Sequence, residues 1–345
     1  MIDFAYARAE SESAAVAALA DDHATVLAGG TELLNWVRLG IAAPERVVDI
    51  GGLDELRGIT RDGDTLRIGA LTTLNEIGEH PLVVAHAGAL ASACLQAASA
   101  QIRNRATLGG NVLQRTRCAY FRAEEPVPWP CNRRSPGSGC AALAGLHERH
   151  AIFGWTDECV AVQPSDPAVA LAALDAVVHV EGSAGPRAVP ITGPLGGLYR
   201  LPGDEPDRET TLERGDLITA VELPPLGCAR NSAYRKVRDR ASYAFAVVSV
   251  AAALDVAGGV VRDARLAIGA VAPVPWRART AERVLAGRPA TAQWFGRAAD
   301  AELAAAAPLP DNAFKLTLAR NVIVRMLCEL ARTGPAGAAP AGAGS

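Results

Sequence analysis

The sequence carries no excess of positive charge: 34 Lys and Arg stand against 37 Asp and Glu, giving a formal net charge of -3 and a pI near 6.1. Without a basic field there is no electrostatic footprint for nucleic acid or for an anionic membrane surface. A long apolar run is also missing. The most apolar stretch, Ala244 to Leu254, falls well short of the roughly 20 residues that a membrane span needs. The opening MIDFAYARAESESAAVAALADD is acidic, with no basic flank before an apolar segment, so it does not read as an export signal. These absences together lead us to expect a soluble protein.

Cysteine is too scarce for a disulfide scaffold, and the seven present are an odd number. Cys94, Cys228 and Cys328 sit in Ala/Leu/Val-rich or neutral surroundings and read as ordinary thiols. The other four, Cys118, Cys131, Cys140 and Cys159, fall within 42 residues of one another, in a segment rich in Arg, Pro, Gly, Ser and Asn. Their spacing, Cys118-x12-Cys131-x8-Cys140-x18-Cys159, contains no C-x2-C pair, so the usual signature of a structural zinc site is missing.

What is present is a chain of 345 residues, half of them hydrophobic, long enough for two or three domains. Helix is expected at Ser11 to Ala20, Thr73 to Glu79, Val83 to Ala100 and Pro167 to Leu174, and strand at Ala24 to Leu27, Val47 to Ile50, Leu66 to Gly69 and Ala176 to Glu181. Asn104 to Ile152 is largely irregular, and the polar stretch Tyr199 to Arg214 reads as a surface loop. A strand pair, Tyr243 to Val256 and Val260 to Val271, turns at Gly258-Gly259, and Ala-rich helices follow near Thr280–Leu285, Thr291–Ala306 and Phe314–Ala331. The last residues, 333–345, contain only Gly, Ala, Pro, Thr and Ser and predict a disordered tail.

Two glycine pairs carry the first chemical signal. Val26, Leu27, Ala28, Gly29, Gly30, Thr31, Glu32, Leu33 and Leu34 form a strand that runs into a sharp turn. Such a turn lets successive backbone N–H groups face one concavity and hold an anion such as a pyrophosphate. Some 80 residues on, Thr107, Gly109, Gly110 and Asn111 offer a second glycine pair with a hydroxyl and an amide. Each alone also fits an ordinary turn. The one match to G-x-G-x-x-A, at Gly137 to Ala142, follows Arg133-Arg-Ser-Pro136 rather than a strand, so it is not a Rossmann fingerprint. No general base, nucleophile or catalytic triad stands out.

The order AGGTELL, IRNRATLGGN, Pro164-Ser-Asp-Pro167, Gly215-Asp-Leu-Ile218 and Tyr234-Arg-Lys-Val237 resembles the flavin subunits of the xanthine dehydrogenase/carbon monoxide dehydrogenase family over roughly residues 1 to 332. The resemblance implies an α+β chain. A PCMH-type (VAO-like) FAD-binding domain of two αβ lobes would cover 1–222, with a four-cysteine iron–sulfur insertion at 113–160. A smaller C-terminal α+β domain of the CO dehydrogenase flavoprotein type would cover 227–332. It further implies that Val26 to Leu34 surround the FAD pyrophosphate and that Thr107, Gly109, Gly110 and Asn111 lie along the cofactor. Asp166 matches an acidic residue contacting the flavin nucleotide, Leu217 or Ile218 an aliphatic packing residue, and Lys236 a lysine near the isoalloxazine ring.

The segment Gln114 to Arg122, followed by Pro130 to Cys140, is similar to the bacterial aldehyde oxidoreductase branch, whose flavin subunit binds a [4Fe–4S] cluster. On that resemblance Cys118, Cys131, Cys140 and Cys159 are its ligands, and His147 and His150 are not. Arg115, Arg117, Arg122, Arg133 and Arg134 read either as compensation for the cluster's charge or as a solvated surface patch. The implied partners are a molybdopterin-binding large subunit, where an aldehyde or heterocycle is hydroxylated, and a small subunit with [2Fe–2S] clusters. A stand-alone flavin oxidoreductase, a scaffold subunit without FAD and an aryl-CoA reductase-like flavin subunit remain as other readings. The compartment is cytoplasmic by default, or periplasmic through co-export with a signal-bearing partner.

Overall fold

The computed structural model describes residues 3–193 and 196–333. The first lobe contains β1 (Ala5–Arg8), α1 (Glu12–Leu19), β2 (Ala24–Leu27), α2 (Leu33–Arg38) and β3 (Arg46–Asp49). Its three strands form a parallel sheet in the order β1-β3-β2. The Ser11 hydroxyl accepts from the Ala14 N–H and so satisfies one of the orphan donors that begin α1. Ala15, Leu19, Val48 and Ile50 then close the lobe's core.

The second lobe begins with the hairpin β4 (Ile59–Asp62) and β5 (Thr65–Gly69), followed by α3 (Leu74–Glu79), α4 (Pro81–His86), α5 (Gly88–Gln96), α6 (Ala100–Arg103) and α7 (Leu108–Val112). After a long irregular segment come α8 (Asp166–Ala173), β6 (Val177–Glu181), β7 (Arg187–Pro190) and β8 (Leu217–Leu223). The sheet is antiparallel with order β4-β5-β8-β6-β7. A capping box between Thr73 and Glu76 starts α3. Helix α8 is buried along its whole length, which its Pro-Ala-Val-Ala-Leu-Ala-Ala composition allows.

The C-terminal unit carries β9 (Ser232–Val237), β10 (Val248–Ala257), β11 (Val260–Gly269) and β12 (Trp276–Arg277), then α9 (Arg279–Leu285), α10 (Ala292–Leu303) and α11 (Phe314–Thr333). Its antiparallel sheet runs β12-β11-β10-β9, and Phe295, Ala298, Ile323, Met326 and Leu327 pack in the core beneath it. The α+β class, with two αβ lobes and a third α+β unit, is therefore the one the resemblance implies.

Three local expectations need correction. The single helix over Val83 to Ala100 is broken into α4, α5 and the start of α6, with Ala98 in the left-handed region at φ 45°. The strand expected from Tyr243 begins only at Val248, because Tyr243 is itself left-handed (φ 50°) and its carbonyl accepts from the Arg240 guanidinium at 2.9 Å. The tail prediction overlaps α11 at Thr333, and residues 334–345 lie outside the described residues.

Candidate functional site

Between the lobes lies a cavity of about 980 Å³. Both glycine loops border it: Val26, Ala28, Gly29, Gly30, Thr31, Glu32 and Leu33 on one side, Thr107, Gly109, Gly110 and Asn111 on the other. The two loops touch. A Cβ at Gly29 would stand 1.8 Å from the Arg105 carbonyl oxygen, so that glycine serves loop-on-loop packing. Gly30 supplies the left-handed turn at φ 75°. Among the described residues no backbone carbonyl accepts from the N–H groups of Gly29, Gly30, Thr31 or Glu32. All four residues line the cavity, where unpaired N–H groups are available to an anion. The second loop is pinned by Leu108 N–H to the Thr72 carbonyl (3.0 Å) and Gly109 N–H to the Ala70 carbonyl (2.9 Å).

Asp166, Leu217 and Ile218 also line the cavity. Asp166 is buried, accepting from the Tyr234 hydroxyl at 2.5 Å and the Lys236 ammonium at 2.7 Å. Burial pushes its carboxyl up, against the pull of Lys236 and Tyr234. Leu27 and Leu34 are not part of the lining, and Leu34 points its side chain toward solvent. Lys236 does not line the cavity either. Its amino group is spent on Asp166 and on the Gln96 carbonyl (3.2 Å), so its charge reaches the cavity through Asp166. Sequence reasoning missed Ala98, Asp216, Arg240 and Tyr243 in the wall. Two of these lie in left-handed backbone, for which an Ala or Tyr gives no sequence signal.

The four clustered cysteines converge. Cys118, Cys131, Cys140 and Cys159 all line a second, narrow cavity. Cys131 and Cys140 pair as an antiparallel bridge around the left-handed Gly137 and Gly139. Polar N–H groups surround the four sulfurs. Backbone N–H groups of Tyr120 and Phe121 beside Cys118, of Arg133 and Arg134 beside Cys131, and of Ala142, Leu143 and Val160 beside Cys140 favour the thiolates. Arg133 reaches Cys159 through Nε at 3.0 Å. Burial pushes the Cys118 thiol up to about 12 and raises Cys131 and Cys140 as well, with the N–H groups opposing. A bound metal cation reverses that balance outright. All seven cysteines are free thiols, and among the described residues no group of three or more His, Cys, Asp or Glu is arranged to hold a metal ion.

The five arginines are not a solvated patch. Arg117 pairs with Glu32 at 2.7 Å and Arg122 with its other oxygen, tying the first glycine loop to the cysteine segment. Arg115 (2.5 Å) and Arg133 (2.6 Å) share Glu209, and Arg134 pairs with Glu125. Burial works against the Glu209 carboxylate, but the two guanidiniums outweigh it and hold the group below its ordinary range. Both nitrogens of His147 are occupied, Nδ1 with the Ala142 carbonyl and Nε2 with the Asp311 N–H, each at 3.2 Å. His150 places Nε2 3.2 Å from the Cys118 sulfur. Thr116, Cys118 and His150 line both cavities and form the wall between them.

The family model for the FAD binding domain in molybdopterin dehydrogenase matches residues 2–226, and that for the CO dehydrogenase flavoprotein C-terminal domain matches residues 232–330. The aldehyde oxidoreductase FAD-binding subunit PaoB of Escherichia coli (strain K12) is 43% identical over 328 residues, covering 94% of this chain and 98% of its own. The carbon monoxide dehydrogenase medium chain of Hydrogenophaga pseudoflava is 28% identical over 330 residues, covering 94% and 96%. The solved structure of carbon monoxide dehydrogenase from Hydrogenophaga pseudoflava lacking the Mo-pyranopterin moiety superposes with a TM-score of 0.70 at 27% identity, covering 94% of this chain and 96% of the other. No described helix is long and apolar enough to cross a membrane. With both family models matched in order and one relative similar along nearly its full length, the chain belongs to the FAD-binding medium subunits of the xanthine dehydrogenase/carbon monoxide dehydrogenase family.

Proposed function

We propose that this chain is the electron-relay subunit of a molybdenum hydroxylase that oxidises aldehydes, holding FAD in the large cavity and a [4Fe–4S] cluster on Cys118, Cys131, Cys140 and Cys159. The observation that carries it is the convergence of the four cysteines on a cavity that shares a wall with the large one. A single ion draws its ligands around one point, whereas a cube presents four irons at its corners and accepts sulfurs spread more widely. Zinc is disfavoured by the cysteine spacing, which contains no C-x2-C pair. Bound FAD exchanges electrons singly with iron–sulfur centres and in pairs with an acceptor.

The chain's own residues then have defined tasks. The free N–H groups of Gly29 to Glu32 hold the pyrophosphate, and Thr107, Gly109, Gly110 and Asn111 line the cofactor's length. Asp166 presents a carboxylate to the nucleotide, braced from behind by Lys236 and Tyr234, and Leu217 and Ile218 give an aliphatic wall. Val26, Ala28 and Leu33 complete the loop, and Glu32 anchors it through its arginines. The FAD-binding domain is assigned to 1–222 with the insertion at 113–160, and the C-terminal domain to 227–332. Aldehyde chemistry is supported by the 43% identity to an aldehyde oxidoreductase subunit. It is carried out on a molybdopterin-binding large subunit, with a [2Fe–2S] small subunit between.

The test is anaerobic addition of an aromatic aldehyde to the complex purified through this chain, and to the chain alone. Bleaching of the flavin band in the molybdenum-containing complex, with none in the isolated chain, is the expected result. Turnover of a small substrate by the isolated chain would replace this reading with that of a stand-alone oxidoreductase.

A further inference from the structure

His150 differs from its neighbour His147 in how its ring is used. His147 is consumed by internal structure at both nitrogens, whereas the Nδ1 of His150 is buried without a protein partner and its Nε2 faces the Cys118 sulfur at 3.2 Å. The residue is only 6% exposed. Its backbone is fixed from three directions: its N–H donates to the His147 carbonyl (3.0 Å), and its carbonyl accepts from Lys315 Nζ (2.8 Å) and Asn312 Nδ2 (3.3 Å). Lys315 is fully buried on α11 and spends its other bond on the Ala270 carbonyl at 2.8 Å. The C-terminal unit thus holds the imidazole in place against a cysteine of the FAD-binding unit. With Cys118 and Thr116, His150 is also the partition between the two cavities.

Resting on the cluster reading above, we propose that His150 is a positioning residue that donates its Nε2–H to the Cys118 sulfur and thereby raises the reduction potential of the cluster on the side facing the flavin cavity. A ligating thiolate has only lone pairs to offer, so the ring nitrogen beside it must be the donor. Reduction adds negative charge to the iron–thiolate unit, and an N–H aimed at a ligand sulfur stabilises the reduced form more than the oxidised one. Among the described residues no side-chain donor contacts the Cys131 or Cys140 sulfur, and the nearby N–H groups there belong to the backbone. The Cys118 contact therefore sets a part of the potential that a side-chain change can reach.

The experiment is an EPR-monitored redox titration of the full-length, anaerobically prepared holoprotein as wild type, His150→Phe and His150→Gln, with iron and FAD content measured on each. The expected result is iron and FAD unchanged in all three. The reduced-to-oxidised ratio of His150→Phe at a fixed ambient potential should fall about tenfold, equivalent to a potential lower by about 59 mV for one electron. His150→Gln, which keeps an N–H, should stay close to wild type. An unchanged potential in His150→Phe overturns the role, as does an equal fall in both variants, which would make the residue a packing element. Loss of iron from both variants with wild type intact makes His150 a ligand instead and also overturns it. Absence of iron from the wild type itself is the separate failure of the cluster reading, and removes this role with it.

Discussion

A Cβ at Gly29 would lie 1.8 Å from the Arg105 carbonyl oxygen, whereas one at Gly110 would meet nothing closer than the Thr107 hydroxyl at 3.1 Å. The two glycines therefore do different work, and substitution separates them. In Gly29→Ala the two cavity loops must part, an overpacking cost of about 1–3 kcal/mol, and FAD retention should fall to less than about half. Gly110→Ala should leave stability within about 1 kcal/mol of wild type, since its added methyl meets a single hydroxyl. Urea unfolding and the flavin-to-protein absorbance ratio check both, and a Gly29→Ala protein that is stable and fully flavinylated would contradict the packing role. This distinction was not legible in the sequence, where both positions read as close approach to ligand. Lys236 shows the same limit: the resemblance implied a cation beside the flavin ring, but only the fold reveals its amino group paired with Asp166.

At the scale of elements, the irregular segment from Leu113 to Pro164 is held in place by charge as well as by apolar packing. Glu32 of the first glycine loop binds Arg117 and Arg122, and Glu209 of the Tyr199 to Arg214 loop binds Arg115 and Arg133. The loop is irregular and largely exposed, as expected, and through Glu209 it also straps the cysteine segment. Because Glu209 is held below its ordinary carboxylate range in the fold, its contribution is complete above the unfolded-state value of about 4.3 and is lost as pH falls through the lower folded value. Glu209→Gln should thus cost about 3 kcal/mol at pH 7, as for a buried pair broken on one side. The gap from wild type should close as the pH is taken below about 4. A gap independent of pH in urea unfolding would show that the charge is not what matters. The arginines were visible in the sequence as a cluster. Their carboxylate partners Glu32 and Glu209 were not, because each lies 76 or more residues along the chain from the arginines it binds.

For the whole molecule, most helices and half of the strands followed from hydrophobic periodicity and turn residues, while the order of five modest motifs pointed to the family and, through it, to the α+β class. The short strands β1, β7 and β12 and the buried strand β8 were not visible, since four residues or fewer carry little period and a strand covered on both faces shows no alternation. The relation of the two cavities could not be read from the sequence at all. It depends on Thr116, Cys118 and His150 meeting between them, which the fold alone brings about. The most direct test of the account is the flavin and iron content of the anaerobically purified full-length chain, with low-temperature EPR after dithionite. The account predicts one FAD and about four irons per chain, a reduced-cluster EPR signal, and loss of the iron with retention of FAD in Cys131→Ser. Flavin without iron in the wild-type protein would contradict it and make the four cysteines structural.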